Sequence, residues 1–303
     1  MTAWPTASTS IPEEHLILDP GERRAAIARV IGAARRELRL SIFRCDDFSV
    51  LDALADAIDR KVRVRALLTP HAKNWKKRLN DLEAFLESMG VEIERYRGEQ
   101  AKYHAKYIVA DESLALVASL NLTRRCLDET CDFILVSQDP ELTNTLVRLF
   151  DSDWWGGVLP SGLSSRLIVG PDNARERFLA VLKNAERSIR IIDHRLSDPE
   201  VMSVLRGHQD RGVTVQVLGS GSLKGRVSHG RMVLVDELIA VIGSMALSEV
   251  SLGRRREVAV TIHDSTNLGL LQNLFDHFAN KLSPERLELT EFSRSGGEED
   301  EDD

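Results

Sequence analysis

Two stretches of the 303-residue chain concentrate the side chains most able to do chemistry. The first is Tyr103-His104-Ala105-Lys106-Tyr107-Ile108-Val109-Ala110-Asp111, continued by Ala118-Ser119-Leu120-Asn121. On an extended apolar strand residues i and i+2 share a face, so His104 and Lys106 point together at one ligand. A nucleophilic imidazole beside a fixed ammonium suits attack on a phosphodiester. The second stretch, His229-Gly230-Arg231-Met232-Val233-Leu234-Val235-Asp236 with Gly243-Ser244 after it, repeats the pattern. Each histidine is followed 7 residues later by an aspartate (Asp111, Asp236) and 15 later by a serine (Ser119, Ser244). An acid follows 28 later, Asp132 in the first copy and Glu257 in the second. Shared offsets are far more specific than a lone His-x-Lys, and two unrelated strand histidines do not explain them.

The segments around these stretches alternate between helical and extended periodicity. Ala25, Ile27, Val30, Ile31 and Ala34 form a helical stripe after Asp19-Pro20-Gly21, and residues 38–43 alternate as a strand. Residues 50–58 are helical, 62–68 extended, 74–89 helical with Gly90 closing the helix, and 91–96 extended. This alternation predicts an α/β fold with mixed, mostly parallel sheets flanked by helices. The second half repeats the first at an offset of 151 residues up to Val213, and of 125 at the motif histidines and at Phe150 and Phe275. The missing 26 residues correspond to the helix at 74–89 and its strand, and Gly219-Ser220-Gly221-Ser222-Leu223-Lys224-Gly225 stands in their place. Two homologous lobes about a pseudo-two-fold axis follow. The expected divisions are a polar tail over 1–14, a first lobe over 15–158, a second over 159–290, and an acidic, disordered tail over 291–303.

His-x-Lys-x4-Asp followed by Gly/Ala-Ser-x-Asn resembles the signature of the phospholipase D superfamily, in which two copies per chain are usual. The resemblance implies a phosphodiesterase or phosphatidyltransferase working through a phosphohistidine, with His104 as nucleophile and His229 as the acid that later activates water or an alcohol. Lys106, Arg231 and Asn121, with Ser119 and Ser244, would then hold the phosphate. Asp132 and Glu257 would orient the imidazoles, Asp132 reaching His104 with one methylene less than glutamate would have. Asp111 and Asp236 read as braces of a strand-turn. Side-chain cations fill the role a metal would have, so no metal or organic cofactor is called for. The second copy departs from the family pattern: Arg231 replaces lysine, and Ala246 stands where asparagine is expected. Phospholipid is the favoured substrate. A nuclease of the same superfamily, and an impaired lobe pair that binds phosphate ligands or proteins, are the alternatives. Head group, hydrolysis or transfer, and oligomeric state have no signal in these residues.

Bulk composition narrows the setting. With 43% apolar and 29% charged residues the chain reads as soluble and globular. Of the formal charge of -7, the six acids from Glu298 to Asp303 supply most, leaving a body too near neutrality for strong nonspecific nucleic-acid binding. No apolar run approaches a membrane span, so membrane contact would be peripheral, and the first ten residues do not read as a signal peptide. A cytoplasmic location is expected, with Cys45, Cys126 and Cys131 as buried thiols; their spacing argues against a disulfide framework or a zinc site. Trp154-Trp155 reads as core and His194 as structural. Lys76, Lys77 and Arg78, with Lys73, mark a solvated helix start, whereas Arg124-Arg125 and Arg254-Arg255-Arg256 divide evenly between phosphate binding and solvated surface.

Overall fold

The computed structural model describes residues 14–72, 74–98, 102–219, 222–223 and 225–280. The acidic tail, all but the last residue of the expected N-terminal tail, Lys73, and Ser220, Gly221 and Lys224 of the glycine-serine stretch lie outside the described residues.

In the first lobe the order is β1 (Glu14–Ile17), α1 (Pro20–Ala33), β2 (Glu37–Ile42), α2 (Phe48–Asp59), β3 (Arg63–Leu68), α3 (Lys76–Met89), β4 (Glu92–Arg95), β5 (Lys102–Tyr103), β6 (Tyr107–Ala110), β7 (Leu114–Ala118), α4 (Arg124–Asp128), β8 (Thr130–Cys131), β9 (Ile134–Ser137) and α5 (Pro140–Trp154). The second continues with β10 (Leu167–Val169), α6 (Ala174–Lys183), β11 (Ser188–Ile192), α7 (Pro199–Asp210), β12 (Thr214–Leu218), β13 (Ser222–Leu223), β14 (Arg226–Ser228), β15 (Arg231–Val235), β16 (Ile239–Gly243), α8 (Glu249–Arg254), β17 (Arg255–Arg256), β18 (Val258–Ile262) and α9 (Ser265–Ala279). Asp-Pro opens three helices: Asp19, Asp139 and Asp198 accept backbone N–H bonds from the first turns of α1, α5 and α7, where proline lacks a donor anyway. Gly90, at φ 95°, closes α3 in the left-handed region.

The sheets have matching orders, β1-β9-β7-β6-β2-β3-β4 and β10-β18-β16-β15-β11-β12. The second lacks counterparts of α3 and β4, which accounts for the change of offset. Both sheets are mixed, but the expected predominance of parallel pairing is corrected. Only β2-β3-β4 and β11-β12 pair in parallel, and every other neighbour in the two sheets is antiparallel. The cause is that each motif forms a hairpin, β6-β7 or β15-β16, inserted beside the βαβ crossover. Sequence reasoning also missed β1: Glu14 to Ile17 pair with β9 as an edge strand.

Three cores hold these layers. One lies under α1 and α2 on the outer face of the first sheet, and a second under α6 and α7 on the outer face of the other. The third joins Tyr103, Val109, Phe133 and Phe150 of the first lobe to Leu167, Met232, Leu234 and Phe275 of the second. The inner sheet faces therefore share one interior. Trp154 stacks on Phe150 at its margin with ring centroids 5.5 Å apart, whereas Trp155, expected in the core, is 80% exposed.

Two short parallel pairings stitch the lobes: β5 with β17 and β14 with β8. Shifting each residue of one pairing by 125 gives the other with partners exchanged, Lys102 matching Val227 and Thr130 matching Arg255. Such reciprocity is the mark of an isologous two-fold contact.

Candidate active site

Both histidines sit beside these stitches. His104 lies just past β5, outside any strand, and its N–H donates to the Arg256 carbonyl at 2.8 Å. Ser41 at the end of β2 holds the break in the strand by donating to the Ala105 carbonyl and sharing a hydrogen with the Tyr103 hydroxyl, each at 2.8 Å. His229 follows β14, and the N–H of Gly230 donates to the Cys131 carbonyl at 2.7 Å. A Cβ on Gly230 would lie 2.5 Å from that carbonyl oxygen and 2.8 Å from the Phe133 ring, so only glycine fits where the first lobe has Ala105.

The histidine–carboxylate pairs are crossed between lobes. Nδ1 of His104 bonds Oε1 of Glu257 at 2.6 Å, and Nδ1 of His229 bonds both Asp132 oxygens at 2.9 Å. The expectation that each acid serves its own repeat is corrected: the strand stitches carry each carboxylate into the opposite lobe. Burial pushes Asp132 up, but His229, Arg23 and the Ser119 hydroxyl outweigh it and bring the carboxyl down to about 2. Glu257 moves upward because it is buried, with Arg255 opposing. His104 is held well below the usual imidazole range, first by burial and then by Lys106, Lys102, Arg255 and His229. It is therefore an unprotonated base at neutral pH.

Lys106 Nζ lies 2.9 Å from Nε2 of His104 and donates to the His104 carbonyl at 3.1 Å. The Phe43 ring meets His104 edge-on at 4.5 Å and lies 5.4 Å from the Lys106 ammonium. Burial pushes Lys106 down to about 7, against the pull of Glu257. Lys106, Phe43, Arg44 and the buried Asn121 line one crevice. In the second lobe Arg231 forms an ion pair with Asp193, Nε to Oδ1 at 3.2 Å, and approaches Nε2 of His194 at 3.5 Å. His194 occupies the place of Phe43, since β2 and β11 correspond at the offset of 151. Burial and the guanidinium groups of Arg231 and Arg195 take its pKa down to about 2, so it is neutral.

Ser119 and Ser244, expected at the phosphate, are engaged within the sheets. Ser119 Oγ donates to Asp132 at 2.5 Å and accepts the Phe133 N–H at 2.9 Å, while Ser244 Oγ donates to the Val258 carbonyl at 3.2 Å. Asp111 and Asp236 lie at the hairpin turns, each accepting three backbone N–H bonds, from Arg35, Arg36 and Glu37 and from Glu186, Arg187 and Ser188. Those bonds overcome burial and lower both carboxyls. Arg255 and Arg256 are buried, not surface cations; Arg256 pairs with Asp153 of the first lobe at 3.1 Å and Asp172 at 2.6 Å.

Three supporting residues escaped the sequence reading. Thr130 donates to Asp132 and Ser251 to Glu257, so both acids are fixed from behind. Arg23, fully buried on α1, donates to the carbonyls of Cys126, Thr130 and Asp132 at 2.6, 2.9 and 3.2 Å, holding the Asp132 loop in place. Ser251 lies 22 residues after its histidine, as Cys126 does after His104, but the types differ and offset matching passes over them.

Residues 27–154 match the family described as cardiolipin synthase, PLD-like domain. The match lies within the first lobe and spans less than half of the chain, so this segment is similar to phospholipase D-like domains. Two solved structures share the fold. Polyphosphate kinase from Porphyromonas gingivalis superposes with a TM-score of 0.70 at 18% identity, covering 87% of this chain and 50% of the kinase; the chain thus spans half the length of that protein. Phosphatidylserine synthase from Haemophilus influenzae Rd KW20 gives a TM-score of 0.71 at 10% identity, over 88% of this chain and 86% of the synthase. No curated protein sequence matches the chain. Among the described residues no helix is long and apolar enough to cross a membrane.

Proposed function

We propose that this protein cleaves or transfers a phosphodiester through a phosphohistidine on His104, with phospholipid as substrate. The observation that carries this reading is the crossed pair of histidines, each with Nδ1 on a buried carboxylate of the other lobe. Glu257 fixes the His104 proton on Nδ1 and leaves the Nε2 lone pair for phosphorus. Lys106 then exchanges its contact with Nε2 for a non-bridging oxygen, joined by Asn121 and, from the second lobe, Arg231. His229 protonates the leaving oxygen, becoming neutral, and takes a proton from water or an alcohol in the second step, with Asp132 stabilising its cationic form. Ala246 gives the second lobe no amide to match Asn121, so Arg231 carries that side of the phosphate alone.

The lipid assignment draws on the cardiolipin synthase description of the matched family and on the near-neutral body. A second support is Phe48, 63% exposed beneath the Arg124 guanidinium at 4.7 Å, on α2 directly after the strand end bearing Phe43. An apolar ring capped by a cation suits a lipid surface. The test compares phospholipid vesicles, single-stranded and duplex DNA, and a chromogenic diester, all in EDTA, for wild type, His104→Asn and His229→Asn. The expected result is lipid turnover lost in both variants and, with the chromogenic diester, a phosphohistidine absent only from His104→Asn. DNA cleavage without lipid turnover would reassign the substrate, and no turnover of any of them would leave a phosphate-binding module.

A further inference from the structure

A second chemistry is built around the Nδ1 side of His229. Cys126 Sγ, an Asp132 oxygen and a His229 ring nitrogen all lie within 4.8 Å of one another. Cys126 and Asp132 are buried and the His229 side chain is 14% exposed. Thiolate, carboxylate and imidazole are the donor types that zinc-like cations prefer, and three such ligands leave one tetrahedral position for water. The support behind the donors is already in place. Ser119 and Thr130 orient the Asp132 carboxylate, and Arg23 clamps the carbonyls of Cys126, Thr130 and Asp132. Lys106 and Arg23 make the surroundings positive, so a dication needs two anionic ligands here, which a thiolate and a carboxylate supply. Among the described residues the opposite lobe has no such set: at the corresponding position Ser251 places a hydroxyl on Glu257. Cysteine spacing carries no sign of the site because its ligands come from α4, the β8–β9 junction and the residue after β14.

We propose that Cys126, Asp132 and His229 form an inhibitory site for a thiophilic divalent cation of the zinc type. The cation displaces the Nδ1 proton of His229 to solvent and takes that lone pair and a carboxylate oxygen of Asp132, while the Cys126 thiol likewise gives its proton to solvent on becoming the third ligand. The remaining imidazole proton then resides on Nε2, and His229 can no longer accept one there. The inhibitory half rests on the role proposed above for His229, whereas the binding half stands without it.

The test uses the full chain, stripped with chelator and dialysed, titrated with Cd²⁺ while the sulfur-to-cadmium charge-transfer band is followed, and with Zn²⁺ by equilibrium dialysis. One cation per chain is expected in wild type and in Cys131→Ser, with the band lost in Cys126→Ser and affinity at least tenfold weaker in His229→Gln. Far-ultraviolet circular dichroism and a melt check that Cys126→Ser is folded; a serine already occupies the matching place in the second lobe. A band that persists in Cys126→Ser, or no stoichiometric binding by wild type, overturns the site. Zn²⁺ should inhibit lipid turnover in wild type and act at least tenfold less strongly on Cys126→Ser. Binding with undiminished turnover overturns the inhibitory role. If wild type turns over nothing, the proposed function fails while the charge-transfer band still decides the site.

Discussion

Replacing Asp132 by asparagine separates the two histidines' tasks. Asp132 accepts from His229 through both oxygens at 2.9 Å, and from Ser119 and Thr130. Asparagine keeps the shape but removes the charge, and it replaces one of the two oxygens, which Ser119 and Thr130 bond separately, by an amide N–H that faces Nδ1 of His229. Nδ1 must then accept, the proton moves to Nε2, and the imidazolium loses its counter-charge. Comparable loss of tautomer control in a serine protease triad costs about 10⁴ in kcat. Here the loss should depend on the step. With an alkyl leaving group, which needs an acid, kcat should fall by ~10³–10⁴. With a nitrophenyl leaving group the first step proceeds without that acid, but water activation still fails. A burst of nitrophenol should appear, with phosphohistidine accumulating on His104 under rapid quench. Glu257→Gln should behave differently, slowing formation of the intermediate with both leaving groups and giving no burst. If Asp132→Asn slows intermediate formation equally for both leaving groups, the crossed assignment of roles is wrong.

Other perturbations follow from the same geometry. Because burial holds Lys106 to about 7, kcat/KM should fall about tenfold per pH unit above neutrality as the ammonium deprotonates; Lys106→Arg, which stays charged, should remove that limb in a pH–rate profile. His104, held well below its usual range by burial and the neighbouring cations, is an unprotonated base at neutral pH and should contribute no limb near neutrality in the same profile. Gly230→Ala forces a Cβ into the Cys131 carbonyl and the Phe133 ring and should lower stability by ~1–3 kcal/mol in urea titration. Arg23→Met strands three buried carbonyls and should cost about 3 kcal/mol, with turnover falling even at temperatures where the variant is folded.

The repeat, the α/β class and the lost helix and strand were legible because periodicity and a constant offset report on local structure. The direction of strand pairing was not, since helix–strand alternation says nothing of where a hairpin inserts. His104 and His229 could be picked out because type and spacing agree between copies, and Lys106 because a cation, Arg231, recurs at the same offset. The partner of each histidine could not, because sequence proximity favours Asp132 for His104, whereas β5 and β8 each leave their own sheet to pair across the two-fold. Arg23 is a lone arginine in an amphipathic stripe, and only the loop folded around it reveals its task.

The exchanged stitches also bear on how the two copies could diverge. The second copy lacks an asparagine and a lysine yet retains Glu257, and Glu257 is the residue that serves the first copy's histidine. Each half thus holds part of the other's working equipment, and a loss in one is felt by its neighbour first. A separated half would carry a histidine without its acid, whereas two differently disabled chains could restore each other if their halves exchange.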